Sequence, residues 1–242
     1  MPLRKILRAS YKIFTTPIQL LETLIILTNY SPITKDYEKC IKTIKETKPS
    51  SAINLQLIET LVIAEDHRNE LHYGVDHIAI LRTIKLKITQ NRTQGASTIE
   101  QQLIRTITQR YEKTLRRKIR EQLLATMISK RFTKETLCKA YLSVAYYGYK
   151  RQGIIGIKEI KQDKPNIKAS EIISLLKYPK NAENCEITNK KIHRRAHHIE
   201  QLLAQQAQGR MLIFPPNLLL VSLLRRITSF AHAKEKEKEK AR

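Results

Sequence analysis

Chain breakers are scarce: 6 Gly and 8 Pro stand among 242 residues. An all-β sandwich or barrel needs a turn signal about every eight to twelve residues, so the shortage excludes that class and any Gly-rich fibre. Cysteine is scarce as well. Cys40, Cys138 and Cys185 are widely spaced and odd in number, which excludes a disulfide framework and a C-x-x-C metal site and leaves them as small hydrophobes. Tryptophan is absent and aromatics make up 6% of the chain. Little stacking surface remains for single-stranded nucleic acid, and no zinc-finger, RNP or K-homology signature occurs, so no nucleic acid partner is expected. Acidic residues are the last shortage: 22 Asp and Glu against 45 Lys and Arg give a formal charge of +23. That excess asks for an anionic partner, which from charge alone is nucleic acid, an anionic membrane surface or a phosphate-bearing substrate.

What is present is helical periodicity in a chain long enough for one core, with 41% apolar residues. The sequence divides into a basic N-terminus with a marginal membrane or amphipathic helix (1–32), a linker (33–54), a helical domain (55–208), and an apolar segment with a charged low-complexity tail (209–242). Arg4, Lys5, Arg8 and Lys12 precede residues 13–31, whose only formal charge is Glu22. Their aliphatics supply roughly −4 kcal/mol on an insertion scale, and Glu22, Gln19, Asn29 and the threonines return about as much. The segment either crosses with its N-terminus in the cytoplasm or lies as an amphipathic helix on the bilayer surface or on the domain. No small-residue cleavage site comes after it, which speaks against a removable signal peptide. Further helices are predicted over residues 55–64, 78–88, 113–130, 133–147, 170–177 and 188–208. Another runs through Ile107 from a capping box, with Ser97 as N-cap and Glu100 at the third helical position.

Three polar clusters interrupt this pattern. In residues 65–76 a polar run separates two apolar helices, and a half-desolvated carboxylate there suits a general base; a solvated loop is the alternative. Residues 94–102 turn through Gly95 into a helix N-terminus bearing hydroxyls and amides, suited to a phosphate or sugar ligand or simply a capped helix. The Gly-Lys-Ser/Thr ending of a P-loop is missing. Lys113, Arg116, Arg117, Lys118 and Arg120, with Glu121 directly after them, oppose the dipole of their helix, a local cost that a bound anion reverses; a solvated basic face is the alternative. His193, His197 and Glu200 have helical spacing for a metal, yet Arg194 and Arg195 between them favour a solvated basic helix, so no metal site is assigned.

In order and spacing these clusters resemble the family 51 peptidoglycan glycosyltransferases, the polymerase domain of class A penicillin-binding proteins and of monofunctional transglycosylases. Glu65 to Asp76 looks like the family's E-D-x-x-F-x-x-H-x-G-x-D, Gly95 to Gln102 like G-x-S-T-x-T-Q-Q, and Arg117 to Glu121 like R-K-x-x-E. Tyr141-Leu142-Ser143 with Gly148, Gly153 and Gly156 looks like its Y-L-N segment and the glycines beyond it, and Ser170 to Pro179 with Arg194-Arg195 is a weaker match to its closing helices. Coverage is about residues 55–205, with no room left for a transpeptidase domain.

The resemblance implies a mostly α, lysozyme-like, two-lobed domain that polymerises lipid II into glycan strands with release of polyprenyl pyrophosphate. It places the enzyme at the bacterial inner membrane with its catalytic domain on the outer side. Glu65 would be the general base and Glu121 the second acidic residue, placed with the donor. Arg105, where the family usually has Lys, would hold the pyrophosphate together with Lys113, Arg117 and Lys118. Asp66, His72, Gly95, Ser97, Thr98, Gln101 and Gln102 would complete the substrate site. No cofactor is required, although a divalent cation such as Mg or Mn often helps the family at the pyrophosphate. The partners implied are lipid II, the nascent glycan strand, the membrane surface and other cell-wall synthesis proteins. Three residues depart from the family pattern: Asn69 replaces Phe, Glu100 replaces Thr and Ser143 replaces Asn. Glu100 brings a negative charge towards the diphosphate unless the capping box turns it to the backbone. An inactive relative that binds lipid II or glycan as a scaffold, a basic nucleic-acid binder and a cleaving enzyme of lysozyme-like fold are the competing classes.

Overall fold

The computed structural model describes residues 2–28, 31–92, 95–180 and 186–208. The apolar segment and tail expected at 209–242, Gln94 and Cys185 lie outside the described residues. Ten helices and one short hairpin make up the rest, so the mostly α expectation holds. The helices are α1 (Pro2–Thr28), α2 (Ser31–Lys45), α3 (Leu55–Glu65), α4 (His77–Gln90), α5 (Ile99–Thr108), α6 (Leu115–Arg131) and α7 (Lys134–Val144). Antiparallel β1 (Tyr146–Gly148) and β2 (Arg151–Gln152) come next, then α8 (Gly153–Asp163), α9 (Ala169–Lys177) and α10 (Glu186–Ala207).

The core forms where apolar stripes meet. α5 contributes Ile99, Leu103, Ile104 and Ile107 and packs between α6 and α7, while α3 packs on α9 and α10. Side-chain caps fix where the helices start: Asn54 Oδ1 accepts from Leu57 N at 2.9 Å and Thr133 Oγ1 from Thr136 N at 3.2 Å. Cys40 and Cys138 are buried and free, as small hydrophobes should be.

Three expectations differ from the structure, and one open alternative is narrowed. Residues 31–45, read partly as linker, are helix α2, because Ile33, Tyr37, Cys40 and Ile44 recur on one face and meet the core. The N-cap of α5 is Thr98, whose hydroxyl accepts from Gln101 N at 3.3 Å, so Ser97 is not the cap and Glu100 stands at the second helical position rather than the third. The helix expected over 133–147 stops at Val144, where the chain enters the hairpin, and α8 is an addition to the predicted helices. Among the described residues no helix is long and apolar enough to cross a membrane. α1 lies on the domain, one of the alternatives open for it, burying Leu7, Tyr11, Thr15 and Ile25 and pairing Glu22 with Lys130 at 2.7 Å, while Ile13, Phe14, Leu20, Leu24 and Leu27 stay exposed. α4 also keeps Leu81, Ile84 and Ile88 exposed.

Candidate active site

The last residue of α3 is Glu65, and the turn after it is tied at every corner. Asp66 accepts from His72 Nε2 at 2.9 Å, from Asn69 Nδ2 at 3.2 Å and from the Ile99 amide at 3.2 Å. Burial pushes its carboxyl up, but the His72 and Lys134 charges and the bonds from His72 and Asn69 bring it down to about 2. Asp76 caps α4 through the Ala79 amide at 2.9 Å and takes Arg68 Nε at 2.8 Å. Burial pushes that carboxyl up too, and the charge and bond of Arg68, the Ala79 amide and the His72 charge together bring it below its ordinary value. Gly74 has φ +85°, and a Cβ there would lie 2.4 Å from the Ala125 carbonyl oxygen. The Gly74 carbonyl accepts from Thr98 Oγ1 at 2.8 Å and Gln101 Nε2 at 3.3 Å, which binds the turn to α5.

This framework leaves Glu65 at the rim, its side chain 16% exposed, with two oriented donors. Gln102 Nε2 donates to Glu65 Oε2 at 2.9 Å and the Arg195 guanidinium pairs with Oε1. Tyr141 Oη donates to Gln102 Oε1 at 2.7 Å, which sets the amide so that its NH₂ faces Glu65. Burial pushes the Tyr141 phenol up and keeps it a donor.

Cations gather around the second carboxylate. Arg105 grips Glu121 with Nε at 2.8 Å and Nη2 at 3.1 Å, Arg117 pairs with the same carboxylate one turn away, and Lys118 Nζ lies 3.7 Å from it. Lys118 also donates to Ser97 Oγ at 3.0 Å and Gln101 Oε1 at 2.5 Å. The Glu121 contact raises the Arg105 pKa, while burial lowers that of Lys118 against the pull of Glu121. Three cations against one carboxylate leave this pocket two positive charges in excess.

Glu100 does not face that pocket. Its side chain is 0% exposed and points behind the turn, where Lys134 Nζ reaches Oε1 at 2.5 Å while Oε2 is buried without a partner. The reason is legible in the stripe Glu100, Leu103, Ile104 and Ile107, which places position 100 on the buried face of α5. Asp66, His72 and Glu100 bring ligand-type atoms within 4.8 Å of one another. The Lys134 ammonium stands among them, 3.4 Å from His72 Nδ1.

The structure therefore brings together Glu65 with Gln102, and Glu121 with Arg105, Arg117, Lys118, Ser97 and Gln101, while Asp66, His72 and Thr98 support the turn from behind. Lys113 is exposed with no bond among the described residues, and Gly95 is an exposed turn whose position admits a Cβ. His193 and His197 are exposed, and Glu200 accepts from Ser170 Oγ at 2.9 Å. Lys134 is not singled out by sequence reasoning, and Arg195 appears there only within the weaker match to the closing helices, with no tie to Glu65. A signal exists for Arg195, since it falls on the buried stripe Ile192, Ala196 and Ile199 of α10.

Residues 36–207 match the family model described as Transglycosylase. Among curated relatives, penicillin-binding protein 1A of Rickettsia felis is 36% identical over 128 residues, covering 51% of this chain and 16% of the relative. Penicillin-binding protein 1A of Escherichia coli is 37% identical over 100 residues, 41% of this chain and 12% of the relative. The counterpart in Rickettsia prowazekii is 31% identical over 159 residues, 60% of this chain and 20% of the relative. The chain thus matches about a fifth or less of the length of these relatives.

Proposed function

The chain belongs to the transglycosylase family, and on that premise we propose that it polymerises lipid II into glycan strands, releasing polyprenyl pyrophosphate, in a lysozyme-like cleft. The observation that carries this reading is the face of α5 on which Gln102 and Arg105 stand three residues apart, one holding Glu65 and the other Glu121. Side chains at that spacing lie about 5–6 Å apart at Cβ, so the two residues that hold the carboxylates are neighbours on one face of α5. Glu65 takes the proton of the acceptor 4-hydroxyl as that oxygen attacks the donor's anomeric carbon with inversion, and the bond to the pyrophosphate oxygen breaks. The excess of two positive charges around Glu121 stabilises the departing diphosphate, whose charge is greater in the transition state than in the bound substrate. Glu121 keeps Arg105 and Arg117 aimed before substrate arrives. Its oxygens are taken by cations, so a divalent ion at the diphosphate finds no free carboxylate there, and the step above needs none. The site faces the outer leaflet of a bacterial inner membrane, with the exposed apolar side of α1 against the bilayer and other cell-wall synthesis proteins as neighbours.

The test is incubation of the protein with labelled lipid II and separation of polymer from substrate. Glu65→Gln keeps the volume but not the basicity and should lower the rate by about two to four orders of magnitude. Wild-type-like polymer from folded Glu65→Gln refutes the assignment, and binding without polymer in either protein identifies a scaffold.

A further inference from the structure

α1 reaches the catalytic turn as well as the core. Leu7 and Tyr11 form a small buried apolar cluster with Leu71, inside the turn, and Ile78, at the start of α4. From that cluster the Tyr11 hydroxyl donates to Asp76 Oδ1 at 2.8 Å. The same oxygen caps α4 through Ala79, and Oδ2 takes Arg68 at 2.8 and 2.7 Å. Burial and the Asp76 charge push the Tyr11 phenol far above its ordinary range, so it remains a donor.

Arg68 and Asp76 are 2% and 4% exposed and tie the two ends of the turn to each other. Arg68 lies two residues beyond Asp66, and its carbonyl accepts the Leu71 amide at 2.8 Å. A buried ion pair holds its geometry only when its remaining hydrogen-bonding capacity is satisfied, and the Tyr11 hydroxyl supplies the donor that comes from outside the turn. We propose that Tyr11 is a positioning residue, a strut by which the N-terminal helix fixes Arg68 and Asp76 and, through them, the end of α3 that carries Glu65. The helix then contributes to the geometry of the site and does more than attach the domain to a surface.

The experiment uses the full chain in detergent with Tyr11→Phe, which keeps the ring packing on Leu7, Leu71 and Ile78 and removes only the hydroxyl. Amide hydrogen exchange over residues 68–80 should speed about tenfold while α9 and α10 are unchanged, as expected for a local opening. Its activity arm rests on the proposed function: kcat for lipid II should fall about tenfold with KM unchanged. Unchanged exchange in the turn, exchange that rises equally in α9 and α10, or a kcat within twofold of wild type overturns the proposal. If the wild type makes no polymer, the functional reading fails by itself, and the exchange pattern still decides the role of Tyr11.

Discussion

Lys134→Met should be among the most damaging single changes outside the cleft. Glu100 is fully enclosed, Lys134 Nζ is 2.5 Å from its Oε1, and the other nearby donor to that oxygen is Ser129 Oγ at 3.5 Å. Removing the ammonium leaves a buried carboxylate beside Asp66 with no counter-charge of its own. Breaking a buried pair from one side costs about 3–5 kcal/mol, and because the Lys134 side chain is 29% exposed the lower end applies, about 3 kcal/mol. Glu100→Gln in the Lys134→Met background removes the stranded charge and should recover about 2 kcal/mol of that loss, an interaction energy that a double-mutant cycle isolates. Urea unfolding of the four proteins at pH 7, monitored by circular dichroism, gives all the terms. A Lys134→Met protein within about 0.5 kcal/mol of wild type, or a double variant no more stable than the sum of the singles, refutes the reasoning.

Gly74→Ala combines a positive φ with a Cβ 2.4 Å from the Ala125 carbonyl oxygen, so it should destabilise by about 2–4 kcal/mol; an unchanged urea midpoint contradicts it. Asp66 has its carboxyl lowered to about 2 in the fold, against about 3.9 unfolded. Its contribution to stability is therefore present above about pH 4 and is lost as the pH falls towards 2. Melting temperature against pH should drop less steeply between those values for Asp66→Asn than for wild type, and parallel curves remove Asp66 as the source.

The helical class and most helix positions are legible in the sequence because each rests on a local pattern, an apolar stripe or a cap, and Glu65 and Glu121 stand out there through motifs at fixed spacing. Glu100 shows where two local patterns compete. The S-x-x-E spacing assigns it to a capping box, but the stripe through Leu103, Ile104 and Ile107 carries more buried area, and burial decides its direction. α2 escapes sequence reasoning because its apolar face is diluted by charged neighbours in a segment that reads as linker. The partners of Glu65 and Asp76 cannot be read from spacing. Arg195 is 130 residues from Glu65 and Tyr11 is 65 from Asp76, so only the packing of α10 and α1 brings them in.

Two of the three departures from the family pattern fall in or behind the turn after Glu65. Asn69 is buried where an apolar ring is usual, yet its amide donates to Asp66. Glu100 is buried where a hydroxyl is usual, yet Lys134 meets it and also reaches His72, which in turn holds Asp66. Both changes add polarity to one buried cluster, and both converge on the residue next to Glu65. The cluster exchanges apolar packing for a hydrogen-bonded, charge-paired support, which is directional and costly to break in part. Ser143 bonds its own helix through Lys139 O at 2.7 Å and belongs to neither group. Glu65 with Gln102, and Glu121 with Arg105, Arg117 and Lys118, keep their mutual partners apart from that cluster. The departures therefore bear on how rigidly Glu65 is held rather than on which groups meet the substrate, and variants at positions 69 and 100 should move stability and kcat before they move KM.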